Sequence, residues 1–188
     1  MDSADSLTNQ FLIAMPGMDD PNFSGGVALL CHHGPDGAMG LVLNRLSDFL
    51  VGEVMAQMGI REVDAELAAQ PVLAGGPVDP ERGFVLHSPD AGPYESTLRF
   101  SEHIHLTTSR DVLEALARGD GPRQAIIALG YAGWDAQQLE DELREHVWLS
   151  VASSPGIVFD TPLPARWDAA ARLIGIDPSA LTSYSGHA

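Results

Sequence analysis

Runs of apolar residues alternate with short polar segments along this chain, and the spacing inside each run predicts a strand or a helix. "VALLCHH" (27–33) and "AMGLVLN" (38–44) are two apolar runs joined through "GPDG". Pro35 and Asp36 suit the centre of a tight turn, so this pair predicts a β-hairpin. "QAIIALGYA" (124–132) is apolar almost throughout, which indicates a central strand that is buried on both faces.

Other segments repeat apolar residues every three or four positions, which is the spacing of a helix. Four such helices are predicted, at 47–59, 109–119, 134–146 and 164–175. Ser109 and Asp135 stand where capping residues of the second and third helices are expected. Shorter apolar runs predict strands or extended pieces at "FLIAM" (11–15), "STLRF" (96–100), "IHLTT" (104–108), "VWLSV" (147–151) and "GIVFD" (156–160).

The segment "AGGPVDPERGFVLH" (74–87) predicts a second hairpin, because "DPER" separates two strand-like runs. Asp79 and Pro80 suit a type I turn, and Gly83 can follow them in a left-handed conformation. Gly75 and Gly76 then serve a sharp bend or a close approach of two backbones.

Strands and helices in mixed order, with two hairpins, favour an α+β fold over a doubly wound parallel sheet. With 188 residues the chain suits one domain. We expect a flexible tail at 1–8 and a single domain at 9–188.

Charge narrows the classes of partner. The net charge is −16, and all ten basic residues are scattered arginines. Nucleic acids and anionic membrane surfaces attract basic proteins, so direct binding to either is disfavoured. No apolar run reaches the roughly 18 residues that span a bilayer. The acidic start "MDSADSLTNQ" is unlike a secretory signal, so the expected location is the cytoplasm.

Cys31 is the one cysteine, which excludes an internal disulfide and any zinc site made of several cysteines. It lies in an apolar run, and a buried, unreactive thiol is the favoured interpretation. A redox or nucleophilic role requires an exposed thiol with a lowered pKa.

Several motifs of catalysis and cofactor binding are missing. A nucleotide P-loop needs a lysine, and the chain has none. "GDGPRQ" (119–124) lacks the last glycine of a dinucleotide fingerprint and leads into a strand. Neither the G-x-S-x-G nor the H-E-x-x-H pattern occurs. No catalytic residue and no cofactor is therefore predicted.

His103 and His105 are weak candidates for a metal site, because residues two apart on a strand project from the same face. Glu102, Asp111 or His87 could supply a third ligand in space. The favoured alternative is that both histidines are exposed strand residues, so no metal is predicted.

A small ligand site is the remaining possibility. Arg82 and His87 could bind an anion or act as acid and base. Asn44, Trp134 and the glycine pair Gly75 and Gly76 could gather around them, at the turns "GGP" and "GYAGW". The alternative is structural: Arg82 solvates a turn, His87 is hydrogen-bonded at the edge of the core, and Trp134 completes the core.

Taken in order, these motifs resemble the bacterial YqgE/AlgH family. The similarity rests on "FLIAMPGMDDPNFSGGV", "GAMGLVLN", "AGGPVDPERGFVLH", "LGYAGWDAQQLEDEL", Trp148 and the closing "GHA", and it runs from about Asn9 to Ala188. It implies an α+β domain whose mixed, bifurcated sheet forms a pseudo-barrel with flanking helices.

The resemblance implies no established activity and no catalytic residues. One branch is named for a regulatory effect on alginate production, and members are often described as transcriptional regulators. Family members usually have Cys-Glu-His where this chain has Cys31-His32-His33. The leading hypothesis is a non-enzymatic protein that binds a protein partner or a small ligand, with a regulatory consequence. The rival hypothesis is an enzyme or small-molecule sensor with a pocket at the glycine turns.

Overall fold

The computed structural model describes residues 6–180, and a curled sheet of ten strands forms the framework of that part of the chain. The strands are β1 (Gln10–Ala14), β2 (Val27–Gly34), β3 (Gly37–Val42), β4 (Leu46–Leu50), β5 (Pro71–Ala74), β6 (Val78–His87), β7 (Thr97–Leu98), β8 (His105–Thr107), β9 (Ala125–Asp135) and β10 (Trp148–Ala152). The helices are α1 (Val51–Gln57), α2 (Ala65–Ala68), α3 (Asp111–Arg118), α4 (Gln138–Arg144), α5 (Pro155–Phe159) and α6 (Arg166–Leu173), with a 3-10 turn at Leu163–Ala165.

Strand β9 holds the sheet together because it belongs to both of its halves. The strands follow the order β10-β1-β2-β3-β9-β6-β8-β7, while β5 joins β4 to β9. Residues 125–129 and Tyr131 of β9 pair with β6 in antiparallel fashion, and residues 128 and 129 also pair with β5 in parallel. Residues 132–135 pair with β3 instead. The sheet therefore bifurcates near Gly130, and the predicted α+β fold with a bifurcated sheet and flanking helices is confirmed.

The prediction of a second hairpin is wrong. Strands β5 and β6 contact the same residues of β9, so they lie on its two opposite edges and do not pair with each other. A buried strand needs a hydrogen-bonding partner on each edge for its backbone groups. In β9 both partners, β5 and β6, come from residues 71–87. The predicted turn at 79–82 is instead a bulge inside β6, where Asp79 rather than Gly83 takes a positive φ.

Three glycines allow the chain to cross β9 on the way from β5 to β6. A Cβ added at Gly75 would collide with the carbonyl oxygen of Gly130, and one added at Gly76 with the backbone of Tyr131. Gly130 has a φ of +76°, and a Cβ there would collide with the carbonyl oxygen of Gly76. The glycines of "AGGP" and "GYAG" thus make a close approach of two backbones, as one of the sequence interpretations expected.

Local signals are confirmed at some positions and not at others: the helix predicted at 47–59 begins only at Val51, because Leu46–Leu50 form strand β4. The hairpin of β2 and β3 turns at Pro35 and Asp36, as predicted. The segment "GIVFD" is not extended: the carbonyl oxygen of Ser154 accepts the N–H groups of Ile157 and Val158, and helix α5 follows. A short apolar run cannot by itself distinguish a strand from a buried helix, which explains the error.

Both predicted capping residues make other contacts. The Ser109 hydroxyl accepts the N–H of Ser96 and donates to Asp111. Ser109 lies one residue before the N-cap position of α3. At α4 the helix begins after Gln137, and the N–H of Asp135 donates to the side chain of Gln138.

Part of the predicted tail lies within the described residues. Leu7 N–H donates to His33 Nδ1 at 2.9 Å, and the Ser6 hydroxyl donates to the carbonyl oxygen of His33. Residues 1–5 lie outside the described part, as does the closing "GHA".

The interior contains Cys31, which packs among the apolar side chains of the main core. The thiol is buried, as predicted, and burial raises its pKa. None of the helices within residues 6–180 has the length and apolar character that crossing a bilayer requires.

Candidate functional site

A groove with a volume of about 800 Å³ opens beside the second half of β9. Its floor includes the buried side chains Phe84 of β6 and Leu106 of β8. Val78 and Leu98 stand in its walls and remain 37% and 45% exposed. A volume of this size lies in the range of roughly 300–1,000 Å³ that is typical of ligand sites.

The groove also follows an open edge of backbone. Residues 132–135 of β9 pair with β3 on one side, and no described strand pairs with them on the other. In an antiparallel ladder alternate residues direct their N–H and C=O groups away from the partner strand. Gly133 lines the groove without a side chain, with the nearest Val78 methyl 3.9 Å from where its Cβ would lie.

Charges of opposite sign stand at different ends of the groove. The Arg82 guanidinium lies 5.3 Å from the centre of the Phe84 ring, and this arginine forms no ion pair with any described residue. Phe84 in turn packs edge-on against Tyr131 at 5.7 Å. At the turn of the β2–β3 hairpin His32 Nε2 lies 3.4 Å from Asp36 Oδ1, and this hydrogen bond lowers the pKa of Asp36. Asp135 at the end of β9 adds a second carboxylate there.

Two of the residues that the sequence analysis grouped together line this groove: Arg82 and Trp134. Trp134 is buried, and its Nε1 donates to Glu142 Oε1 at 3.2 Å. The same carboxylate oxygen accepts Nε1 of Trp148 at 2.9 Å. Trp134 therefore both completes the core and contributes to the wall of the groove.

Asn44, Gly75 and Gly76 do not line the groove. Asn44 Oδ1 accepts the N–H of Val27, and its Nδ2 donates to the carbonyl oxygen of Gly25, both at 2.9 Å. Asn44 thus fixes the loop before β2, while the two glycines serve the strand crossing.

His87 is buried on the other face of β6. Its Nδ1 lies 2.8 Å from the carbonyl oxygen of Ser88, which can only accept, so Nδ1 carries the proton. In the neutral ring Nε2 then accepts the hydroxyl of Thr107 at 2.7 Å, and that hydroxyl lies 2.8 Å from the hydroxyl of Thr97. Burial lowers the pKa of His87, partly offset by the Ser88 hydrogen bond.

The two metal candidates do not act together. His105 lies on β8 with its ring 5.9 Å from that of His87, whereas His103 is exposed in the loop before the strand. Burial lowers the pKa of His105, and repulsion from His87 when that ring is protonated and from Arg99 lowers it further. Within residues 6–180 no group of three or more His, Cys, Asp or Glu side chains is placed to hold a metal ion.

Tyr131, from the predicted "GYAGW" pocket, lines the groove, and so do Val78 and Leu98, which no sequence signal indicates. The sequence alone cannot distinguish an apolar residue that is exposed on a strand from one that is buried in the core. Only the curl of the sheet shows which of them face the groove.

Comparison with known proteins places this chain among a group of bacterial relatives. The family model described as AlgH-like, DUF179, matches residues 11–179. A UPF0301 protein of Xanthomonas campestris pv. campestris (strain B100) is 56% identical over 97% of this chain and 96% of that protein. A UPF0301 protein of Xanthomonas axonopodis pv. citri (strain 306) is 54% identical over the same shares.

Two solved structures share the fold. The solution structure of AlgH from Pseudomonas aeruginosa has a TM-score of 0.81 and 46% identity, covering 100% of this chain and 99% of that one. The crystal structure of a Corynebacterium diphtheriae protein has a TM-score of 0.72 at 21% identity, covering 98% and 94%, which is a likeness of fold alone. The resemblance drawn from the motifs is confirmed: the chain belongs to the AlgH-like DUF179 family.

Proposed function

We propose that this protein is a non-enzymatic binding protein that takes up an extended segment of a partner protein in the groove beside β9. The observation that supports this function is the open backbone edge at residues 132–135, next to a groove of about 800 Å³. An extended peptide that adds to such an edge gains main-chain hydrogen bonds, while side-chain pockets select its sequence.

The side chains along the groove suggest what that segment contains. Val78, Leu98 and Met39 offer apolar surface to every second side chain of an added strand. Arg82 favours an acidic residue towards one end, and Asp36 and Asp135 favour a basic residue towards the other. The partner segment is therefore apolar in alternation, with opposite charges near its two ends.

An array of synthetic peptides with this pattern tests the proposal, using fluorescence anisotropy on the purified protein. We expect the tightest peptide to lose about tenfold in affinity with Leu98→Lys, because a lysine in the wall leaves its charge unpaired against apolar side chains. Leu173→Lys is the matched control, since Leu173 is 47% exposed on α6 and does not line the groove.

Hydrogen exchange supplies the second measurement. Binding at the edge should slow exchange of the Gly133 amide, because the Asp135 amide, which points the same way, already donates to Gln138. If no peptide binds more tightly than about 100 µM, or if Leu98→Lys and Leu173→Lys behave alike, the proposal is wrong.

The second candidate is a small-molecule sensor or enzyme in the same groove. The stack of Arg82, Phe84 and Tyr131 favours it, because a cation beside aromatic rings suits a planar anion. A thermal-shift screen with small aromatic carboxylates, followed by assays for their conversion, separates the two candidates. A small ligand that stabilises the protein and binds more weakly to Arg82→Gln, when no peptide binds the groove, would support this second function.

We also propose that this protein has a regulatory role and that it acts in the cytoplasm. A protein that docks a partner segment can act on transcription without touching DNA, which agrees with a net charge of −16. A mobility-shift assay at near-physiological salt tests this directly, and a shift of DNA by the isolated protein would contradict it.

A further inference from the structure

A separate cavity of about 360 Å³ lies away from the groove, beneath α2 and between β5, β9 and the chain from α5 to α6. Apolar side chains make up most of its lining, among them Leu67, Leu73, Leu116, Ile126 and Phe159. None of the residues that line it lines the groove. Its volume falls within the range of roughly 300–1,000 Å³ found for small-molecule sites.

Arg166 lies at this cavity and is only 7% exposed. Its Nη1 donates to the carbonyl oxygen of Leu43 at 2.5 Å, and its Nε donates to the carbonyl oxygen of Thr161 at 3.1 Å. These contacts hold the guanidinium in place while leaving Nη2 without a hydrogen-bond partner among the described residues.

The positive charge of Arg166 is not balanced. It forms no ion pair within residues 6–180. Asp160 also lines the cavity, but it is exposed and its Oδ1 accepts Nε2 of Gln124. Burial lowers the pKa of Arg166, as expected for a cation removed from water without a nearby anion. Burying an unpaired charge costs free energy that an opposite charge at hydrogen-bonding distance offsets.

We propose that this cavity binds a small monocarboxylate with an unbranched apolar body, its carboxylate against Arg166 and its hydrocarbon among the apolar side chains. A guanidinium can donate two parallel hydrogen bonds to a carboxylate, which suits this headgroup better than a hydroxyl. The apolar lining supplies affinity roughly in proportion to the hydrocarbon area removed from water. This site is independent of the peptide groove.

Octanoate labelled with ¹³C at the carboxyl carbon is the probe, titrated into the full chain and followed by NMR. We expect saturable binding at one site, with a rise in Tm that grows with octanoate concentration. Acetate has the headgroup without the hydrocarbon, and octan-1-ol has the hydrocarbon without the charge. Each should bind at least about tenfold more weakly, since each lacks one of the two contributions.

Variants locate the site. Arg166→Lys keeps the charge but loses the paired hydrogen bonds, so octanoate should bind about tenfold more weakly. Arg172→Lys is the control on the same helix, because Arg172 is exposed and does not line the cavity. Should Arg166→Lys fail to fold, Ala125→Leu narrows the cavity from β9 and should weaken octanoate in the same way.

Three results would overturn the proposal: no octanoate binding by the unmodified protein, equal binding of octan-1-ol, or affinity that none of the cavity variants changes. The two proposals fail separately. Leu98→Lys should leave octanoate binding unchanged, and Arg166→Lys should leave peptide binding unchanged.

Discussion

Gly130 is a position where one added methyl group would disturb both halves of the sheet. Its φ of +76° is strained for other residues, and a Cβ would collide with the carbonyl oxygen of Gly76. We expect Gly130→Ala to lower the free energy of unfolding by about 2 kcal/mol or more, measured by urea denaturation.

Gly133→Ala is the matched control in the same strand. A Cβ there meets nothing closer than 3.6 Å, so the change should cost less than about 1 kcal/mol. Equal destabilisation by the two variants would contradict the importance of the crossing.

His87 makes stability depend on pH at the scale of one residue. Its pKa is lowered from 6.5 by burial, so below about pH 6.5 the unfolded chain binds the proton more readily than the folded one. Its stabilising contribution is complete above that pH and is lost as the pH falls towards the folded pKa. The slope reaches at most about 1.4 kcal/mol per pH unit for one proton.

The prediction is that His87→Gln flattens the fall in Tm between pH 7 and pH 5, although the variant is less stable at every pH. His105→Gln should flatten it less, because His105 is more exposed while its pKa is lowered in the same direction. A wild-type slope in the His87 variant would contradict this explanation.

At the scale of elements, one carboxylate attaches helix α4 to two strands. Glu142 accepts the indole N–H groups of Trp134 on β9 and Trp148 on β10. Glu142→Ala leaves both donors without that partner, so we expect a loss of about 1–3 kcal/mol in stability and an altered tryptophan emission.

Glu145→Ala tests the same helix end without those contacts, because Glu145 is exposed and stays outside the indole hydrogen bonds. Its Tm should remain near that of the wild type. A similar loss in both variants would mean that helix propensity, not the tryptophan contacts, sets the effect.

Elements determined by neighbouring residues could be predicted from the sequence. The first hairpin and helices α3 and α6 follow from turn residues, apolar spacing and terminal glycines. The pairing of β5 and of β6 with β9 could not be predicted in this way, because β9 lies about forty residues further along the chain.

The same distinction holds for the candidate sites. Arg82 and Trp134 are candidates because their residue types suit ligands, and they share a groove in the structure. The sequence pattern places Arg166 only in a predicted helix. Its burial results from the packing of α6 against β1 and β2 and from its hydrogen bond to Leu43 just after β3, and sequence spacing carries no signal of these contacts.

At the scale of the whole molecule, the double use of β9 has a consequence for synthesis on the ribosome. The edges of β5 and β6 that pair with β9 stay open until residues 125–131 have left the exit tunnel, and the corresponding edge of β3 stays open until residues 132–135 have left it. While residues 88–135 are being made, the nascent chain therefore carries three strands with open edges. Such edges invite association with other chains, so this protein should depend on a holding chaperone while it is being made.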